Sequence, residues 1–162
     1  MTAEAARPPQ RIAEITLDQR TVVRRSPEIE HERAIAITDL LKENRFTPES
    51  GLAGPFHVHL AVAENRLSME IRNTTGGSSE AIILPLAPFR RIVKDYFLVC
   101  ESYYGAMRGK RLAQVEAIDV GRRSLHDEGA ALLAERLAGK VALDHDTARR
   151  LFTLICVLHL RA

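Results

Sequence analysis

Two stretches of the chain alternate strictly between apolar and polar or small side chains. Phe56, Val58, Leu60 and Val62 alternate with His57, His59, Ala61 and Ala63, and Leu67, Met69 and Ile71 alternate with Ser68, Glu70 and Arg72. Period-two alternation marks strands with one buried face. A two-residue turn at Asn65-Arg66 pairs Val62 with Met69 and Leu60 with Ile71, which keeps one face of the hairpin apolar. Ile12–Leu17 alternates more loosely and predicts a first strand. Ala81–Leu84 predicts a further strand after the flexible turn TTGGSS.

Helical spacing dominates the rest. Pro27 to about Asn44 carries an apolar stripe of Ile29, Ile37, Leu40 and Leu41, helped by Ala36. Ser26 suits its N-cap and Pro27 its first position, with Glu28 and Glu30 complementing the dipole. Residues 47–55 read as a loop. Pro88–Tyr104 is apolar on most sides and predicts a central helix. Arg111–Val120 predicts another, broken or kinked at Gly121. The next runs to about Ala138 and stops at Gly139, with Ser124 and Asp127 as a candidate capping box. The last begins near Asp144 or Asp146 and carries Leu151, Phe152, Leu154, Ile155, Val157 and Leu158.

These elements predict a single α+β domain over residues 11–162, preceded by a disordered tail at 1–10. An antiparallel sheet of about four strands has one face covered by the C-terminal helices. Pro88–Tyr104 and Asp146–Leu160 are apolar on more faces than such a sheet can cover, which predicts a homodimer.

Composition narrows the function classes. The chain has 162 residues, a net charge of +2 and 46% hydrophobic residues. That charge gives no reason to expect a nucleic-acid partner. Cys100 and Cys156 sit in apolar helical runs and read as buried free thiols, which suits the cytoplasm. The opening MTAEAARPPQR lacks the apolar segment of a signal peptide, and no apolar run approaches a membrane span. The cations are unbalanced in kind, with nineteen Arg against four Lys. Arg recognises carboxylate and phosphate in a bidentate way that Lys does not.

Three arginine pairs, Arg90-Arg91, Arg122-Arg123 and Arg149-Arg150, fall in or near the first turns of predicted helices, where the dipole opposes them. Internal acids or a bound anion must offset that charge. Arg122, Arg123 and His126, beside Gly121, form the leading ligand-binding candidate, with Arg90, Arg91, Arg149 and Arg150 as further members. Asp127 and Glu128 partly neutralise this patch. His57 and His59 share a strand face, a spacing able to supply two metal ligands, but no third ligand lies nearby in sequence. Glu28-x-x-His31 has the spacing of a di-iron motif, which needs a second copy that the chain lacks. No nucleophile motif or phosphate-binding glycine loop is present. Tyr103-Tyr104 followed by Arg108, Lys110 and Arg111 is the best basic–aromatic patch, and it also reads as an ordinary helix end.

The segments SPEIEHERAIAITDLL (Ser26–Leu41), VEAIDVGRRSLHDEGAALLAERL (Val115–Leu137) and TARRLFTLICVLH (Thr147–His159) resemble a bacterial family known as uncharacterised protein family 0262. The resemblance runs from about Ile12 to His159. It implies a bacterial, cytoplasmic protein and transfers no catalytic residue or cofactor. The expected function is that of a small non-enzymatic binding or regulatory protein, holding an anionic ligand through its arginine pairs and needing no cofactor. Two alternatives stand beside it: an enzyme acting on a phosphorylated or carboxylated small molecule, and a metal-binding protein using His57 and His59.

Overall fold

The computed structural model describes residues 9–18 and 27–159. Residues 1–8 of the expected tail and the expected cap Ser26 lie outside them. The elements run β1 (Ile12–Leu17), α1 (Pro27–Lys42), β2 (Phe46–Pro48), β3 (Phe56–Ala63), β4 (Arg66–Asn73), β5 (Ser79–Pro85), a 3-10 turn (Ala87–Phe89), α2 (Arg90–Arg108), α3 (Leu112–Leu137), β6 (Val141–Leu143) and α4 (His145–His159). The protein is α+β. A four-stranded sheet has the order β1-β3-β4-β5, and β2 pairs with β6 in a small second sheet.

The sheet is mixed, which corrects the expectation of an all-antiparallel one. β1 runs parallel to β3, while β3–β4 and β4–β5 are antiparallel. A parallel pair needs a crossover, and α1 with β2 lies between the two strands. The hairpin turn sits at Glu64-Asn65, one residue earlier than the alternation suggested. Leu60 pairs with Met69 and Val62 with Leu67. Glu64 and Asn65 both have positive φ, 53° and 62°, as a type I′ turn demands. A register change of two residues leaves every side chain on the same face, so patterning alone does not detect it.

One sheet face is apolar throughout. Phe56, Val58, Leu60, Leu67, Met69 and Ile71 are fully buried, with Ile82 and Leu84 nearly so. The helix seated in the core is α4, and not the one starting at Pro88. Leu151–Leu158 is buried at every position, and α4 packs against α1, α2, α3 and β3. Its all-round apolarity is therefore satisfied within one chain. That removes α4 from the argument for a dimer.

α3 is one continuous helix of 26 residues, so Gly121 does not break it and Ser124 does not start a new helix. Gly129 lies where α3 crosses α4. A Cβ there would stand 2.4 Å from the Phe152 ring, so the glycine sets how closely the two helices approach. Gly121 has nothing within 4 Å of its would-be Cβ. Gly139, at φ 81°, ends the helical segment as expected.

The outer edge of β1 is capped at its first residue by a side chain. The Asn44 amide accepts from the Ile12 N–H at 2.7 Å and donates to the Ile12 and Leu40 carbonyls at 2.9 and 2.8 Å. Phe46 N–H donates to the Gln10 carbonyl beside it.

Candidate functional site: a buried carboxylate where helices meet

The apolar stripe of α1 has a gap. Its buried positions are Ile29, Glu32, Ala36 and Leu40. Glu32 thus carries a carboxylate into the helical layer, with its side chain 8% exposed. A buried carboxylate is costly unless donors surround it, and three converge on it. Tyr96 Oη donates to Oε1 at 2.7 Å, Tyr104 Oη to Oε2 at 2.8 Å, and Arg122 Nη1 to Oε1 at 3.2 Å. The Cys100 thiol stands 3.9 Å away. Tyr96, Cys100 and Tyr104 are spaced by four on α2, so one face of that helix supplies all three.

α3 supplies the opposite wall. Arg122 bonds Asp119 Oδ1 through Nη2 at 2.9 Å and Nε at 3.2 Å, and its guanidinium lies 4.5 Å from the Tyr103 ring centroid. One turn on, His126 Nε2 contacts Tyr96 Oη at 3.0 Å and Thr153 Oγ1 at 3.2 Å. The Tyr96 proton is committed to Glu32, and the Thr153 proton to the Arg149 carbonyl at 3.2 Å. Both hydroxyls therefore act as acceptors. The proton of His126 is assigned to Nε2 on that ground. The result is a directed chain, His126 to Tyr96 to Glu32, crossing α3, α2 and α1.

The environment fixes the charge states. Burial, and then the Arg122 charge, push His126 down to about 4 against an ordinary 6.5, so it is neutral at pH 7. Burial raises Tyr96 and Tyr104 well above the phenol range, reinforced by Glu32. Burial also lifts the Cys100 thiol to about 11, leaving it unreactive. For Arg122, burial works against the charge, but the bonds to Asp119 and the proximity of Glu32 outweigh it and raise the pKa.

The sequence candidates distribute as follows. Arg122 and His126 belong to this cluster. Arg123, 72% exposed, pairs with Asp119 at 2.8 Å. Both arginines lie well inside α3 and not at a helix start, so no free backbone N–H groups stand beside them to receive an anion. Arg91 bridges Asp95 at 3.1 Å and Glu128 at 2.6 Å. Arg149 pairs with Asp146 at 3.6 Å, and Arg150 donates to the Glu43 carbonyl at 3.1 Å. Arg90 is exposed. Arg122 and Arg149 both come close enough to His126 to depress it.

The other sequence candidates lie elsewhere. Glu28 pairs with Arg108 at 2.5 Å, and His31 is exposed. His57 and His59 lie on the helix-free face of the sheet. Both bond Thr16 Oγ1, at 2.9 and 2.6 Å, and Glu14 stands 3.7 Å from His57. Among the described residues no cluster of three or more His, Cys, Asp or Glu is arranged to hold a metal ion. No described helix is long and apolar enough to cross a membrane.

Sequence reasoning missed Glu32 and Tyr96, and singled out Tyr104 only as part of a basic–aromatic patch. The available signal was the acid occupying a stripe position of α1 between Ile29 and Ala36.

No solved structure matches the chain. The relatives it matches include proteins of several bacteria. A UPF0262 protein of Rhodospirillum rubrum is 60% identical over 150 residues, covering 93% of this chain and 92% of the relative. One from Rhodopseudomonas palustris strain BisA53 is 56% identical, covering 91% of each chain. One from Nitrobacter winogradskyi is 55% identical, covering 92% and 89%. The family model described as Uncharacterised protein family (UPF0262) matches residues 9–161. With the match spanning α1 and its buried glutamate, the core helix α4 and the whole sheet, the chain belongs to the uncharacterised protein family UPF0262.

Proposed function

We propose that this protein is a non-enzymatic cytoplasmic binding protein that acts as a homodimer joined through the α2–α3 hairpin. The observation that carries this is the first half of α3. From Leu112 to Gly121 the helix has no buried residue, yet Leu112 is 74% and Val120 69% exposed. Across from it on α2, Leu98 is 54% and Met107 48% exposed. Between the helices lies a shallow groove of about 250 Å³, lined by Leu98, Val99, Ser102, Ile118 and Gly121. An apolar strip of this kind favours a partner surface.

A second copy suits it by charge. The hairpin carries the basic turn Lys110-Arg111 and the exposed acids Glu101 and Glu116. A two-fold axis sets the turn of one copy toward the acids of the other. The Glu32 cluster supports the non-enzymatic reading because its acid and base are already partnered by side chains of the same chain. The buried thiols of Cys100 and Cys156 support a reducing compartment.

Light scattering tests the assembly. The expected mass is twice 18.1 kDa, falling to the single-chain value in a Leu98→Glu, Val120→Glu variant that keeps its cooperative melt. A wild-type monomer at micromolar concentration overturns the reading.

A second reading, a small anionic ligand at the arginines, is favoured by the exposed guanidinium groups of Arg90 and Arg123. It predicts that phosphate or a nucleotide raises the melting temperature of the wild type and not of an Arg90→Glu, Arg123→Glu variant. No change in the wild type removes it.

A further inference from the structure

β5 ends the sheet, and among the described residues no strand pairs with its outer side. Its hydrogen-bonding parity follows from two bonds in register with β4. Leu86 N–H donates to the Asn65 carbonyl and Asn73 N–H to the Ser78 carbonyl. In an antiparallel pair such bonded positions recur every second residue. The even-numbered residues of β5 therefore face β4. The N–H and C=O of Ala81 and Ile83 point away from the sheet and have no partner among the described residues.

This edge is unguarded. Natural proteins blunt exposed edges with lysines, mid-strand prolines or bulges. β5 presents Ala81 and Ile83, both exposed, with Ile83 51% exposed, and its only proline is the terminal Pro85. The edge also runs along a groove of about 470 Å³, lined by Glu80–Ile83 on one side and by Glu49, Ser50, Gly139 and Lys140 on the other. The far wall is held by the Glu49 N–H bond to the Lys140 carbonyl at 2.9 Å, and Ser50 Oγ reaches across the β5 start of the groove to donate to Glu80 at 2.7 Å.

We infer that this groove docks an extended segment of another protein, which adds to β5 as a fifth strand and alternates apolar with basic residues. The backbone groups of Ala81 and Ile83 select an extended chain. Partner residues opposite Ala81 and Ile83 lie on the helix-free face beside apolar side chains. The residues between them turn toward the groove, where Glu49 and Glu80 outnumber Lys140. A cation there is complementary. The β5 strand of a second copy fits poorly, because its sequence SEAIILP carries no basic residue to meet Glu49 and Glu80. The inference names a partner class for the binding reading above but uses a different surface from the α2–α3 hairpin.

The probe is a fluorescein-labelled, acetylated and amidated heptapeptide alternating valine and lysine, read by fluorescence anisotropy. Binding is expected to weaken at least tenfold for a valine–glutamate analogue. A similar loss is expected for a peptide N-methylated at the amides that face β5. It is also expected for Ile83→Pro, whose lost N–H does not serve β4. In hydrogen exchange the amides of Ala81 and Ile83 gain protection when the peptide is bound. The inference is overturned by no binding, by equal binding of the acidic or N-methylated peptide, or by a wild-type dimer that Ile83→Pro dissociates. The peptide modifications keep the test valid even if the proline variant fails to fold. Dissociation by Leu98→Glu with Val120→Glu reports on the hairpin dimer alone, so failure of one reading is distinguishable from failure of the other.

Discussion

Tyr96 and Glu32 lie 64 residues apart in sequence and 2.7 Å apart in space. Their contact fixes α1 against α2 through a charge-assisted bond in a nearly dry setting, where such bonds are strong. Removing the acid leaves Arg122 without its interhelical partner and two phenols without an acceptor. Glu32→Ala is expected to cost about 3 kcal/mol or more. Tyr96→Phe is expected to cost about 1–2 kcal/mol, because Tyr104 and Arg122 still serve the carboxylate. A double-mutant cycle read by urea unfolding checks the pair, which should be coupled by more than 0.5 kcal/mol, as contacting residues are. Additive losses would contradict the contact.

The two neighbouring arginines of α3 should behave oppositely. Arg122 is 19% exposed and pairs with a buried acid, whereas Arg123 is 72% exposed. Arg122→Met is expected to destabilise by about 3 kcal/mol, since it leaves the buried Glu32 without its charged partner. Arg123→Met should stay within about 0.5 kcal/mol of wild type, as surface pairs do. Thermal melts of the two variants decide it. Equal effects would mean that Arg122 does not reach Glu32 in solution.

His126 makes stability depend on pH. In the folded protein it takes up a proton only near 4, against 6.5 ordinarily. Between these values the unfolded chain binds more protons than the native state. The contribution is therefore complete above about pH 6.5 and is lost as pH falls toward 4, by about 3 kcal/mol in all. An imidazole titration followed by NMR should show the depressed midpoint. His126→Gln should flatten the fall in stability across that window, and an unchanged slope would assign it to other groups.

Gly121 and Gly129 share one helix, and alanine should move them in opposite directions. At Gly121 the Cβ enters open space, so the better helix propensity of alanine should add about 0.5–1 kcal/mol. At Gly129 it would overlap the fully buried Phe152 ring. Overpacking of this kind costs about 1–3 kcal/mol. Denaturant midpoints of the two variants test the sign at each site.

The sheet was more legible than the helical cap because its signal is local. Alternation located β3 and β4 and chose their faces, and the loose pattern at Ile12–Leu17 found β1. It did not show that β1 runs parallel to β3, which depends on the path of the chain between them. The short strands β2 and β6, three residues each, are too brief to carry a period. Gly121 suggested a helix end because glycine lowers propensity, yet α3 runs on across it, since one glycine costs a helix only about 1 kcal/mol. At the site, Arg122 and His126 stood out as polar side chains four apart on one helix. Glu32 and Tyr96 did not, and Tyr104 stood out only beside basic residues, because the meeting of the three joins helices far apart in sequence.

Asn44 has a consequence for how such chains can stack. Its amide supplies an acceptor and a donor to Ile12, imitating the backbone of an adjoining strand without being one. The two flanks of the sheet thus differ: at β1 the first residue is already saturated by Asn44, whereas at β5 the outward groups of Ala81 and Ile83 have no partner among the described residues. A strand that adds at β1 alongside Ile12 must displace that amide, and one that adds at β5 displaces nothing of the kind, so strand addition is directed to β5.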